Sequence, residues 1–129
     1  MQNDALATGL SMVRNHDLLG RKSCVLHPIN KTVRKVLDVL NREGYVGSSE
    51  DVTKGKGGEI IVHLLGSINR LGVIKPRFSA KIREFEKWEK RYLPARGMGV
   101  LILSTSQGIM THEEAKKKQI GGRLLAYCC

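Results

Sequence analysis

An unbroken apolar run, Val100-Leu101-Ile102-Leu103, follows glycines at Gly97 and Gly99. Four consecutive apolar residues leave a strand with no polar side, so this one is predicted to be buried on both faces of a sheet. Hydrophobic residues make up 41% of the 129, enough for a modest core. The length is that of one ordinary domain or of two small lobes packed together.

The elements before the run alternate. Asp4 to Arg14 reads as a helix, with Leu6, Leu10 and Val13 at helical spacing behind a cap from Asn3 or Asp4, and Gly20 ends that region. Ser23 to Leu26 is a short strand closed by Pro28. Asn30 caps a second helix to about Glu43, whose stripe is Val33, Val36, Leu37 and Leu40, and Gly44 stops it. From Tyr45 and Val46 the chain passes through a basic tip, Lys54 to Gly58, into Glu59 to Leu65, a β-hairpin. The pattern changes between Gly66 and Gly72, which divides the chain into 1–68 and 69–129.

In the second half Val73 to Phe78 contains Pro76 and is an edge strand at best. Glu84 to Arg91 is a short amphipathic helix carrying Phe85 and Trp88, with Tyr92 following. Thr111 with Glu114 fits a capping box, opening a helix through Lys118 that Gly121-Gly122 breaks, and Leu124 to Tyr127 is a last strand. The expected class is mixed α/β of the α+β kind. An N-terminal α-β-α-β-β lobe packs on a β-rich C-terminal lobe with short helices.

Lys plus Arg is 22 against 12 for Asp plus Glu, a formal net charge of +10. Such self-repulsion stabilises nothing in a small fold and points to a polyanionic partner, most simply a nucleic acid. Anionic membrane would call for a basic amphipathic helix or a lipidation signal, and neither is found. No apolar run approaches membrane-spanning length. Met1 to Leu19 mixes Asn3, Asp4, Arg14, His16 and Asp17 among its apolar residues, unlike a signal or transit peptide, so the expected location is the cytosol.

Several chemistries are unsupported. Lys54 to Gly58 and Gly20-Arg21-Lys22-Ser23 lack the spacing of a phosphate-binding loop. His112-Glu113-Glu114 has Lys116 where a metalloprotease helix needs its second His. No nucleophile elbow surrounds Ser104. The three cysteines make no disulfide framework. Cys24 and His27 have zinc-compatible spacing, but the only other pair is the adjacent Cys128-Cys129, a poor tetrahedral partner. Core thiols are the simpler reading, with no metal and no cofactor expected.

Two segments remain. Lys75 to Arg96 holds eight cations against three glutamates, interleaved with Phe78, Phe85, Trp88 and Tyr92. The spacing of Phe85 and Trp88 says core, while the charges suit an RNA surface. Gly99 to Lys116 is a buried strand that emerges into a hydroxyl-rich turn, passes Gly108 and enters a capped helix. Hydroxyls on a rigid turn can bond to sugar and phosphate oxygens. From the residues alone, the stronger case is that they cap the helix or tie the turn.

This last segment resembles the signature of the universal small-subunit ribosomal protein S-eight family, in its archaeal type. Its matching positions are Gly99, Ile102, Leu103, Ser104, Thr105, Gly108, Ile109, Met110, Ala115 and Lys116. Asp4 to Ala7, Arg14-Asn15, Glu43 to Tyr45, Ile74 to Phe78, Arg91 to Arg96 and Gly121 to Tyr127 extend the likeness over nearly the whole chain. Ala5, where many relatives have Pro, and Cys128-Cys129 depart from it. The resemblance implies a non-enzymatic constituent of the small ribosomal subunit that binds the central domain of its rRNA early in assembly, beside neighbouring ribosomal proteins. It implies no small-molecule substrate. Carried over by position, the RNA contacts are Ser104, Thr105, Ser106 and Gly108, supported by Arg14, Asn15 and Lys31. Arg77, Arg91 and Arg96 join them from the basic segment. The rivals are an enzyme acting on RNA with His112 or Glu113 as base, and a basic module docking an acidic protein.

Overall fold

The computed structural model describes residues 5–26, 30–51, 59–94 and 98–129, which divide into two compact units after Asn69. The first runs α1 (Ala5–Leu18), β1 (Ser23–Leu26), α2 (Lys31–Arg42), β2 (Val46–Asp51) and β3 (Ile60–Leu64). The three strands form an antiparallel sheet in the order β1-β3-β2. Ile60, Val62 and Leu64 alternate inward along β3, as a half-buried strand requires. They are buried, as are Cys24 and Leu26 of β1 and the apolar stripes of α1 and α2.

The hairpin and the second helix follow the sequence pattern closely. The Asn30 side chain accepts from the Val33 N–H at 2.9 Å, capping α2. Gly44, at φ +83°, ends it while Tyr45 N–H donates to Leu40 O at 2.9 Å. The expected cap at Asn3 or Asp4, the closing Pro28, and the tip Lys54 to Gly58 lie outside the described residues.

Helix α1 departs from the expectation by running four residues past Arg14. The cause is Asp17, a buried carboxylate that accepts from the backbone N–H of Gly66 at 2.9 Å and of Ile68 at 3.4 Å. A residue that reads as solvent-facing is a tertiary anchor, and it draws the last turn of α1 inward.

The second unit holds β4 (Leu71–Val73), β5 (Ser79–Ala80), a 3-10 turn at Ile82–Glu84, α3 (Phe85–Tyr92), β6 (Val100–Thr105), β7 (Gly108–Thr111), α4 (His112–Lys118) and β8 (Gly122–Cys128). The sheet order is β4-β8-β6-β7, with β5 also on β8. Val100 to Leu103 are all buried, in a strand flanked on both sides by others. Leu101, Leu103, Met110 and Leu124 pack with Phe85, Trp88 and Leu93 in one apolar cluster.

Two expectations change here and a third holds. Val73 to Phe78 is not one strand, because Pro76 has no N–H to give a ladder. The chain instead leaves β8 after β4 and returns as β5. Gly108 to Thr111, expected as part of a turn, is a strand completing a hairpin with β6. Helix α4 runs to Lys118 as expected, and its cap is Gln119, in the left-handed region at φ +57°, just before the two glycines. Those glycines are needed for close approach: a Cβ on Gly121 would lie 2.6 Å from Ala80 O, and one on Gly122 2.5 Å from Ser104 O.

Candidate nucleic-acid interface

Ser104, Thr105, Ser106 and Gly108 come together on the β6–β7 hairpin. The strands pair Leu103 with Met110, Ser104 with Ile109 and Thr105 with Gly108, leaving Ser106-Gln107 as a two-residue tip. Gly108 sits at φ +113°, which suits a residue without a Cβ. Thr105 spends its hydroxyl inside the turn, donating to Gly108 O at 2.8 Å and accepting from Gln107 N–H at 3.1 Å. Among the described residues, the exposed hydroxyls of Ser104 and Ser106 have no side-chain partner. The hairpin thus divides its labour: one hydroxyl fixes the tip and two are left open for a ligand.

The sheet carries the site further than the hairpin. Arg123 of β8 lies directly opposite Ser104 of β6 on one side and Ser79 of β5 on the other. Directly opposed residues in antiparallel strands project to the same face. These side chains border a shallow depression of about 510 Å³ that also reaches Lys81, Thr105 and Ser106. Gly121 and Gly122 contribute only backbone to it. Lys81 belongs to the basic segment read as an RNA surface, whereas Ser79 and Arg123 were missed by sequence reasoning. Arg123 stood within a family-like segment, but only strand register reveals which neighbours it faces.

The basic segment divides. Arg77 and Arg91 are exposed, and Arg96 lies outside the described residues. The Arg91 guanidinium is 5.6 Å from the ring centres of both Trp88 and Tyr92 and 5.9 Å from that of Phe78. Phe78 and Trp88 stack at 4.8 Å and Tyr92 leans on Tyr127 at 5.2 Å. Arg91 therefore covers an aromatic row as well as presenting charge. Phe85 and Trp88 are core residues, as their spacing implies. In the first unit Arg14 and Asn15 are exposed on α1, and Lys31 is exposed at the first position of α2.

His112 is buried at the start of α4. Its Nδ1 accepts from Leu101 N–H at 3.1 Å, and its Nε2 donates to Glu89 Oε1 of α3 at 2.6 Å. Lys116 Nζ reaches the same carboxylate oxygen at 3.2 Å. An imidazole with both nitrogens engaged and 2% exposure has no substrate within reach, which removes His112, one of the two candidate bases, and leaves the exposed Glu113. Burial lowers its pKa from 6.5, opposed by the Glu89 charge. Thr111 caps this helix through the expected box, accepting from Glu114 N–H at 3.2 Å while Glu114 Oε1 accepts from Thr111 N–H at 3.4 Å.

Cys24 is buried in β1, and desolvation raises its thiol pKa to about 11, so it is a protonated core group. His27, at a zinc-compatible spacing from it, lies outside the described residues.

Residues 4–129 match the family model described as Ribosomal protein S8. The chain is 48% identical over 124 residues to the small ribosomal subunit protein uS8 of Pyrobaculum islandicum, covering 96% of this chain and 95% of that one. It is similar to the same degree, over the same shares, to the uS8 protein of Pyrobaculum neutrophilum. With its signature carried on the β6–β7 hairpin, the chain belongs to the ribosomal protein S8 family.

Proposed function

We propose that this protein is a structural constituent of the small ribosomal subunit, located in the cytoplasmic ribosome, that binds small-subunit rRNA directly. It is not an enzyme. Its rRNA site is in the central domain, and its binding supports subunit assembly and translation alongside neighbouring ribosomal proteins. The observation that carries this reading is the pair of open hydroxyls at Ser104, on β6, and Ser106, at the hairpin tip that Thr105 and Gly108 fix. Hydroxyls on a rigid element suit the shallow minor groove of RNA, where 2′-hydroxyls and base edges are displayed. Residues 69–129 form the lobe that makes this contact. Arg77, Arg91 and Arg96, with Arg14, Asn15 and Lys31 from residues 1–68, add contacts to phosphate.

The test is the double variant Ser104→Ala/Ser106→Ala, titrated against a central-domain rRNA helix. Each lost hydrogen bond is worth about 0.5–1.5 kcal/mol, so binding should weaken by about 1–3 kcal/mol with the fold intact. Wild-type affinity in the double variant would show that the hairpin does not contact this RNA.

A further inference from the structure

We infer that Ser79, Arg123 and Ser104, with Lys81, form a band that grips one ribose-phosphate strand and distinguishes RNA from DNA. This rests on the rRNA-binding reading above and assigns chemistry to residues outside the signature hairpin. The band follows from register: Arg123 is opposite Ser79 and Ser104 at once, so an arginine is flanked by two serines on three adjacent strands. Strands about 4.8 Å apart place the outer pair roughly 10 Å from each other.

Two further observations support a ligand here. Lys81 and Arg123 are exposed, and among the described residues neither carries an ion pair, whereas Lys90 pairs with Glu86 and Lys116 with Glu89. Two unneutralised cations on one depression are costly to each other and favourable to a phosphate. Gly121 and Gly122 line the same depression and add no side chain to it. The chemistry is then divided. Arg123 and Lys81 bind phosphate oxygens, and Ser79 and Ser104, each both donor and acceptor, bond to 2′-hydroxyls on either side.

The experiment uses the full chain and a central-domain rRNA helix, titrated over a salt series, beside the same helix with 2′-deoxyriboses. Lys81→Gln/Arg123→Gln is expected to flatten the slope of log K against log salt by about 1.4–1.8, the share of two phosphate contacts. Lys81→Gln/Arg123→Lys, which returns a cation at position 123 alone, should recover about half of that slope. Ser79→Ala should bind the RNA more weakly and lose part of the preference over the deoxy helix. An unchanged salt slope in the double variant, while Ser104→Ala/Ser106→Ala still weakens binding, would overturn the band and leave the hairpin reading standing. Wild-type binding by both double variants would overturn the two together. A deoxy preference unaltered by Ser79→Ala would remove that residue's assigned role.

Discussion

Acidification should destabilise the protein through His112, in a direction and to an extent that its surroundings fix. The ring is buried against Leu101 of β6 and Glu89 of α3, with Lys116 one turn along its own helix and Glu113 beside it. Nδ1 accepts a backbone N–H, so the native ring is neutral, with its proton on Nε2 facing Glu89. Protonating Nδ1 would set two donors against each other inside the core. Burial lowers the native pKa below 6.5, and the unfolded chain therefore binds a proton first as pH falls. Stability is retained above pH 6.5 and lost below it. If the native ring stayed wholly neutral, going from pH 7.5 to 5.5 would cost about 1.4 kcal/mol, which is an upper bound. The assay is urea unfolding at both pH values for wild type and His112→Gln, because the difference between the two cancels the exposed carboxylates and the other histidines. The wild type should lose more on acidification, by an amount up to that bound. An equal loss in both proteins, or a wild type gaining stability at pH 5.5, would refute the neutral buried ring.

Two other outcomes are expected. Asn30→Ala removes the side-chain acceptor for Val33 N–H and should lower unfolding stability by about 1 kcal/mol, read as a urea midpoint shift with unchanged slope. Cys24, with its thiol pKa at about 11, should resist iodoacetamide at pH 8 in the folded protein and react readily in urea. Immediate alkylation of the native protein at that residue would contradict its burial.

What could be read from the sequence was whatever local chemistry determines. The stripe and cap of α2, the capping box of α4 and the apolar run of β6 are decided by residues within a turn or two of one another, and each appears where expected. Strand β7 was hidden because Gly108 to Thr111 is short and follows Ser106-Gln107, which carries none of the usual two-residue hairpin signals. The length of α1 was hidden because its last turn depends on Asp17 bonding to Gly66 and Ile68, about fifty residues away. The same limit applies to the site. The serines on the hairpin came from a motif, whereas Arg123 and Ser79 acquire meaning only when β5, β8 and β6 are aligned. The split role of the hydroxyls, with Thr105 bonded within the turn and Ser104 and Ser106 left exposed, likewise appears only in the folded hairpin.

The most direct test of rRNA recognition is competition binding of the purified chain at moderate salt. A central-domain small-subunit rRNA helix competes against an unrelated hairpin of equal length. Specific recognition requires a preference of a hundredfold or more for the rRNA helix, about 2.7 kcal/mol. Equal affinity for both would mean that the net charge of +10 alone drives association, contradicting the role assigned to the hairpin.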